Sequence, residues 1–263
     1  MPEPLITLDR IAVRIRDRWL LKDSSWRINS GEQWAVTGPN GAGKTTLVKA
    51  VAGLLPVVQG RIQYHFIKGS TPAEKIVYIA GDGRRDLWRR EKDLDHGRAF
   101  SGCCDGGTTV RHLIEQPLAH HLPPSHTASR LAPIVESLEL ENLLERPVMT
   151  VSFGEMSRVL IARELIRRPK MMILDEPFDG LDASSRQELV AMVNHLAVAG
   201  MPVILATHRA DERLPATTHL LTIERERISR LQRVKPPTAA RDDRVVVGMQ
   251  KMKRLGSKTD SSR

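Results

Sequence analysis

The chain has 263 residues, enough for one large domain or two small ones with a buried core. Its formal net charge of +9 indicates an anionic partner, such as a nucleotide, a nucleic acid or an acidic lipid headgroup. Aromatic residues make up only 4% of the chain, which argues against a base-stacking platform for nucleic acid without excluding that partner.

The cysteine content and the hydropathy pattern predict a cytoplasmic protein. Two cysteines, Cys103 and Cys104, supply neither a disulfide framework nor a complete zinc site, so we expect reduced thiols. The first residues lack the basic and then apolar layout of a secretory signal. No run approaches the roughly 18 consecutive apolar residues of a membrane span. We therefore expect a chain that is free in the cytoplasm or peripheral at the inner face of the membrane.

Apolar periodicity predicts strands and helices that alternate along the chain. The first predicted elements are strands at 5–16, 25–28 and 33–37, a helix at 47–52 that ends at Gly53, and strands at 61–67 and 75–80. Residues 81–109 are polar and lack a sustained period, which predicts a long surface excursion. The later elements are helices at 108–119, 127–140 and 153–167, a strand at 171–174, a helix at 183–199, a strand at 202–206 and a hairpin at 219–230. This alternation predicts an α/β fold.

A glycine-rich segment between a predicted strand and a predicted helix fits the phosphate-binding loop pattern. Its glycines let the backbone N–H groups converge on phosphates next to the positive end of a helix. Lys44 is expected to reach the β- and γ-phosphates, and the Thr45 hydroxyl is expected to coordinate Mg²⁺. The predicted phosphate-binding residues are Gly38, Pro39, Asn40, Gly41, Ala42, Gly43, Lys44, Thr45 and Thr46.

Two further motifs carry side chains that suit nucleotide binding and hydrolysis. An apolar strand ends in Asp175 and Glu176; the first is expected to hold Mg²⁺ and the second to polarise the attacking water. Ser152 and Glu155 have the spacing of a capping box for a helix that begins near Phe153. A capped helix start with free N–H groups is also an anion site, so both interpretations of this segment can hold together.

These motifs, spread over residues 5–230, resemble those of an ABC (ATP-binding cassette) ATPase. The resemblance implies a P-loop NTPase of the ABC type, with a RecA-like core, an antiparallel β-subdomain and a helical subdomain inserted at about 82–168. The nucleotide-binding domain is then predicted at 1–230. Residues 231–263 are basic and non-periodic, which predicts a disordered tail.

The resemblance also implies roles for residues outside the phosphate loop. Ser152, Gly154 and Glu155 fall in the family's signature motif, which binds the γ-phosphate of ATP held by the opposite subunit. Asp182 matches the aspartate of the D-loop at the dimer interface, and His208 matches the switch histidine that contacts the γ-phosphate. The implied ligands are ATP and Mg²⁺, and the implied partner is a second cassette, in the simplest case another copy of this chain.

The sequence departs from the family at two positions. Ile15 stands where most members place an aromatic residue that stacks on adenine, and Trp19 is a nearby substitute. Gly81 stands where a glutamine normally links the active site to the helical insert and the membrane partner. Adenine recognition and the coupling route to a permease are therefore expected to differ from the family pattern.

Three functions remain open at this point. The catalytic set favours an ATPase subunit that powers a separate membrane permease. The missing glutamine and the basic charge favour the alternative of a soluble ABC ATPase that acts on a cytosolic protein or a nucleic-acid complex. A nucleotide-gated binding module with little turnover is a third possibility, against which Glu176 and His208 argue. The motif around residues 176–182, the signature and Gly107-Thr108-Thr109 more narrowly resemble the ModF-type cassettes, which are named for an association with molybdenum transport.

Overall fold

The computed structural model describes residues 3–67, 69, 71–100, 107–119, 123–209 and 212–235. Residues group into two compact units. The first unit takes in the described residues up to Ala80, Pro169–Pro177 and the described residues from Gly200 onward. The second takes in the described residues from Gly81 to Arg168 together with Phe178–Ala199.

Within the described residues, nine strands of the first unit form two sheets. The strands are β1 (Pro4–Ile15), β2 (Arg18–Asn29), β3 (Trp34–Thr37), β4 (Gln59–Tyr64), β5 (Ile76–Ala80), β6 (Met171–Asp175), β7 (Val203–Thr207), β8 (His219–Glu224) and β9 (Arg227–Arg233). A three-stranded antiparallel sheet has the order β2-β1-β4. A six-stranded sheet has the order β5-β6-β7-β3-β8-β9, and its strands are parallel except for β9. The α/β fold predicted from the sequence and the antiparallel β-subdomain implied by the family resemblance are confirmed.

The core of the first unit explains why the central strands read as uninterrupted apolar runs. Every residue of β6 and of β7 is buried, as expected for strands covered on both faces. Helix α1 (Lys44–Val51) buries Leu47, Val48 and Val51 in the same apolar cluster as Val36 and Ile204. A short helix, α2 (Pro72–Lys75), precedes β5.

The second unit is helical. Its helices are α3 (Gly83–Phe100), α4 (Val110–Glu115), α5 (Pro124–Leu138), α6 (Phe153–Leu165) and α7 (Ala183–Val198). Three of these helices have an N-cap side chain that accepts a hydrogen bond from the first turn: Thr109 caps α4, Ser152 caps α6 and Asp182 caps α7. In the described part of the chain, no helix combines the length and the apolar character that a bilayer crossing needs.

Two sequence predictions need correction. The segment predicted as a surface excursion at 81–109 contains α3, an 18-residue helix. Among the side chains of α3 that the structure describes, only Leu87 and the polar Glu91 are buried. The apolar stripe that would reveal a helix is therefore too sparse to detect, although the arginines and lysine around it favour helix. The predicted tail at 231–263 also begins too early, because β9 continues to Arg233; residues 236–263 lie outside the described part of the chain.

Candidate functional site

The phosphate loop, residues 38–45, leaves the central strand β3 and enters α1. Gly38 has a φ of 152°, and a Cβ there would lie 2.3 Å from the carbonyl oxygen of Ile223 on β8. Gly43 caps α1 in the left-handed region, with a φ of 106°. The glycines at these positions are therefore required by a close backbone approach and by a conformation that other residues avoid.

Lys44 is held over the loop that it follows. Its Nζ donates to the carbonyl oxygens of Gly38 at 3.0 Å and Pro39 at 3.3 Å. The same nitrogen lies 3.2 Å from Oε1 of Glu176, and the lysine side chain is 6% exposed. Pro39, Asn40 and the residues on either side remain accessible, so the outer face of the loop is open to solvent while the ammonium group is fixed beneath it.

Asp175 ends β6 with a buried carboxylate. The Tyr78 hydroxyl donates to its Oδ2 at 2.7 Å, whereas Oδ1 is buried and has no hydrogen-bond partner within the described residues. Burial raises the pKa of Asp175 above its ordinary value, and hydrogen bonding by Tyr78 and by Thr45, whose hydroxyl faces the same carboxylate, opposes the rise. An unsatisfied buried oxygen beside a threonine hydroxyl is a donor set that suits a hard divalent cation.

Glu176 joins the lysine to the histidine that follows β7. Its Oε2 lies 2.9 Å from Nδ1 of His208 and accepts from the His208 backbone N–H at 3.2 Å. An ionised carboxylate only accepts hydrogen bonds, so Nδ1 of the imidazole carries the hydrogen in this contact. Glu176 has a φ of 49°, a left-handed conformation that is unusual for a residue with a side chain and typical of functional sites.

The parallel sheet brings these groups together. Strands β6, β7 and β3 are neighbours, and Asp175, Thr207 and Thr37 end them. The carboxyl ends of parallel strands share one edge of a sheet, where ligands of open α/β folds bind. Lys44, Asp175, Glu176 and His208, predicted from separate motifs, thus lie at one edge of the first unit.

The signature segment belongs to the second unit and forms the predicted capping box. Ser152 Oγ accepts from the Glu155 N–H at 3.2 Å, and Glu155 Oε2 accepts from the Ser152 N–H at 2.6 Å. Arg146, which the sequence did not reveal, lies 3.3 Å from the other carboxylate oxygen of Glu155. Although burial acts to raise it, hydrogen bonds from Ser152 and the charges of Arg146 and Arg158 lower the pKa of Glu155.

The start of α7 packs directly against the start of α6. Asp182 accepts from the Ser185 N–H at 2.8 Å and from its hydroxyl at 3.1 Å. A Cβ on Gly154 would lie 2.7 Å from that hydroxyl oxygen, so the glycine permits the two helix starts to approach closely. An open polar groove of about 490 Å³ lies at this junction, and the residues that line it include Ser152, Glu155 and Arg158.

The two positions at which the sequence departs from the family pattern lie at the ends of strands. Ile15 ends β1 with 40% of its surface exposed. Trp19 lies on the paired strand β2, half-buried, with the Arg14 guanidinium 5.8 Å from its ring centre. Gly81 follows β5 directly, at the position predicted for the missing glutamine.

Comparison with known proteins agrees with these motifs. Residues 21–179 match the family model described as ABC transporter. The zinc import ATP-binding protein ZnuC 1 of Hahella chejuensis is 30% identical over 225 residues, which cover 85% of this chain and 76% of that protein. The ABC transporter ATP-binding protein ModF of Escherichia coli is 31% identical over 200 residues, covering 76% of this chain but only 38% of ModF.

Solved structures give the same fold at lower identity. The cbiO1 protein of Clostridium perfringens, part of the cbiONQ transporter complex, superposes with a TM-score of 0.71 at 22% identity and covers 98% of this chain and 99% of its own. A dimeric ATP-binding cassette bound to ADP and Pi superposes with a TM-score of 0.66 at 17% identity, covering 88% of this chain and 99% of its own. The chain belongs to the ABC transporter family of ATP-binding cassettes, whose members are ATPases.

Proposed function

We propose that this chain binds and hydrolyses MgATP between two cassettes and thereby powers a separate membrane permease. The observation that carries the proposal is the carboxylate of Glu176, which contacts Lys44 Nζ at 3.2 Å and His208 Nδ1 at 2.9 Å. A carboxylate held between a phosphate-loop lysine and a histidine supports the assignment of Glu176 as the base for the attacking water.

The phosphate loop is the proposed cradle for the triphosphate. Gly38, Gly41 and Gly43 have positive φ angles, a backbone conformation that residues with a side chain rarely adopt. The N-terminus of α1 adds its unsatisfied N–H groups and the positive end of the helix dipole. Lys44 then reaches the β- and γ-phosphates, in exchange for its present contacts with the loop carbonyls. The residues proposed to contact the nucleotide here are Gly38, Pro39, Asn40, Gly41, Ala42, Gly43, Lys44, Thr45 and Thr46.

Thr45 and Asp175 are the proposed Mg²⁺ ligands. The unsatisfied Oδ1 of Asp175 supports this assignment, because a buried carboxylate oxygen without a hydrogen bond carries a desolvation cost that a cation would offset. Bound there, Mg²⁺ would neutralise charge on the phosphate oxygens. Tyr78 fixes the carboxylate through its hydrogen bond to the other oxygen, which leaves Oδ1 as the free ligand atom.

Glu176 and His208 are the proposed catalytic pair. Glu176 accepts a proton from the attacking water, and His208 orients the carboxylate through Nδ1 and is expected to contact the γ-phosphate. The three ordered contacts of Glu176, with Lys44 Nζ and with both the ring and the backbone of His208, keep its carboxylate from rotating freely.

A second cassette is proposed to complete the site with its own signature segment. Ser152, Gly154 and Glu155 would meet the γ-phosphate of the nucleotide held by the other subunit, and Asp182 would line the interface. The capped start of α6 supports this, since it offers an anion-binding helix terminus beside an open polar groove. The dimeric fold relative bound to ADP and Pi supports the same assembly.

The membrane partner is inferred from the relatives. Zinc, cobalt and nickel import appear in the names of similar proteins, so a metal-ion permease is the first candidate partner. A ModF-type association with molybdenum transport is a narrower version of the same proposal, supported by the 31% identity to ModF. Gly81, in place of the glutamine that links active site and permease, favours the second candidate of a soluble ABC ATPase acting on a cytosolic protein or a nucleic acid.

The catalytic part of the proposal is tested with Glu176→Gln, which keeps the size of the side chain but removes the base. We expect hydrolysis to fall by about 10²- to 10⁴-fold while ATP binding persists, because the phosphate loop is intact. The variant should accumulate as a closed dimer, seen as a doubled mass with ATP and Mg²⁺. Glu145→Gln is the matched control, since Glu145 makes an exposed ion pair with Arg111 at 2.7 Å and has no proposed role. Unchanged turnover without a doubled mass would refute the role of Glu176.

The transport part is tested by isolating the trapped Glu176→Gln dimer from native cells and identifying what accompanies it. A multi-span membrane protein in stoichiometric amounts would support the permease. A ribosome or DNA, bound in a salt-sensitive way, would instead support the soluble ATPase, because phosphate contacts weaken steeply as salt rises.

A further inference from the structure

A buried carboxylate lies just beyond the histidine and has no part in the mechanism proposed above. Glu212 is 7% exposed, and its Oε2 accepts a 2.7 Å hydrogen bond from the hydroxyl of Thr207, the last residue of β7, which is fully buried. Carboxylates are seldom buried unless hydrogen bonds or ion pairs compensate them. The other oxygen, Oε1, lies 3.5 Å from the Arg209 guanidinium.

The Thr207 hydroxyl has both of its hydrogen-bonding roles assigned. It donates to Glu212, an acceptor when ionised, and it accepts from the backbone N–H of Arg209 at 3.1 Å. The hydroxyl thereby ties the residue before His208 to the residue after it. Without the carboxylate, the hydroxyl proton would have no fixed acceptor and the lone pair would no longer be aimed at the Arg209 N–H.

His208 lies between these two tethered residues. Its backbone N–H and its ring Nδ1 both reach the same oxygen of Glu176, at 3.2 and 2.9 Å. Both contacts depend on the backbone conformation at His208. The Thr207 hydroxyl constrains that conformation, because it belongs to the preceding residue and binds the N–H of the following one. Hydrogen bonds therefore connect Glu212 with Thr207 and Thr207 with Arg209, and the covalent backbone between those two residues carries the constraint to His208, whose own hydrogen bonds reach Glu176.

We propose that Glu212 is a positioning residue that acts through the Thr207 hydroxyl to aim His208 at the carboxylate of Glu176. This inference rests on the proposed ATPase function for its kinetic consequence, whereas the hydrogen-bond geometry itself does not depend on that function. Neither Glu212 nor Thr207 needs to touch the nucleotide. Their removal should therefore lower kcat and leave the KM for ATP, which the phosphate loop determines, nearly unchanged.

The kinetic test compares Thr207→Val, which replaces the hydroxyl with a methyl group of similar size, with Thr207→Ser, which restores the hydroxyl. We expect kcat to fall about 10- to 100-fold in the valine variant, as for a small misplacement of a catalytic group, with KM within about twofold of wild type. The serine variant should recover most of the lost kcat. Thr127→Val is the matched control, because Thr127 is also buried and its hydroxyl makes one hydrogen bond, to the Pro123 carbonyl, in the second unit.

Glu212 is tested in parallel. Glu212→Leu removes the acceptor at similar volume and should lower kcat as much as Thr207→Val, whereas Glu212→Gln keeps an acceptor oxygen and should retain most of the activity. The double variant Thr207→Val with Glu212→Leu should be no worse than either single variant, because both interrupt one hydrogen-bond path. Additive losses in kcat would overturn the proposed path.

A spectroscopic test is independent of turnover. In protein with ¹⁵N-labelled histidines, the Nδ1 resonance of His208, assigned by its loss in His208→Gln, should shift in Thr207→Val and Glu212→Leu but not in Thr207→Ser or Thr127→Val. An unmoved His208 resonance together with wild-type kcat in Thr207→Val would overturn the positioning role. Absence of turnover in the wild-type chain would refute the proposed function instead, and the imidazole spectra would still decide whether Glu212 positions His208.

Discussion

Replacing Gly154 with alanine should loosen the junction between α6 and α7 at the proposed trans site. The added methyl group would lie 2.7 Å from the Ser185 hydroxyl oxygen and 3.1 Å from its Cβ. The hydroxyl cannot turn away without losing its 3.1 Å hydrogen bond to Asp182, and the two helix starts must otherwise separate. Overpacking of this kind costs about 1–3 kcal/mol, against which alanine regains roughly 0.5–1 kcal/mol of helix propensity. The difference between these two ranges is about 0 to 2.5 kcal/mol, and we expect a net loss near its middle, about 1 kcal/mol.

The assay is native-state hydrogen exchange of the α6 amides, which reports the local opening free energy. Gly83→Ala is the control, because Gly83 also begins a helix of the second unit and a Cβ there would meet no atom within 4 Å. Ser185→Gly removes both clashing atoms, so combining it with Gly154→Ala should recover the loss. The resulting coupling between the two sites should exceed about 0.5 kcal/mol, the range within which independent sites add.

The reasoning about Gly154 would be wrong if the two substitutions were additive, or if Gly83→Ala and Gly154→Ala changed exchange alike. A functional readout accompanies the exchange data. In the Glu176→Gln background, Gly154→Ala should reduce the ATP-dependent doubling in mass, and the double variant with Ser185→Gly should restore it if close packing, rather than the glycine itself, is what the trans site needs.

Asp175→Asn should raise the melting temperature of the nucleotide-free chain at pH 7 while abolishing Mg²⁺-dependent turnover. Burial raises the pKa of Asp175 in the folded chain above 3.8, so the free energy of unfolding falls as pH rises from 3.8 to the folded pKa. Asparagine does not ionise and so removes the cost of burying the charged carboxylate. Calorimetric melts of both proteins at pH 7 and at pH 4 check the difference in melting temperature. Arg146→Ala should speed exchange at the first turn of α6, because Arg146 braces Glu155 in the capping box. The pKa of Glu155 is lowered from 4.5, so the stabilisation that Glu155 provides is present above that pH and is lost as pH falls, and the effect of Arg146→Ala should fade in acid.

Local motifs allowed much of the first unit, and one helix start of the second, to be predicted from the sequence. The phosphate loop, the capping box and the strand that ends in Asp175 each depend on residues that are close together in the chain. Their chemistry is therefore visible in a short segment. The strand order then brings Lys44, Glu176 and His208 together, as the family's motif order implies.

The supporting residues could not be predicted, because their contacts join distant or unremarkable positions. Tyr78 lies 97 residues before Asp175 and resembles any tyrosine on a buried strand. Glu212 follows the histidine by four residues, but only its burial against Thr207 distinguishes it from a surface glutamate. Helix α3 was missed for the opposite reason, since a charged helix with few buried positions has almost no periodic signal.

The pairing of β6, β7 and β3 also determines where in the chain insertions and deletions can be tolerated. Asp175 pairs with Ala206, and Thr207 pairs with Thr37. The carboxyl ends of these three adjacent strands are therefore aligned to within about one residue, and so are the residues that follow them. A slip of one residue in β7 would move His208 by about 3.3 Å and turn its side chain to the opposite face. Insertions and deletions can therefore accumulate in the connections of this protein, whereas the three short strands must keep both their length and their alignment.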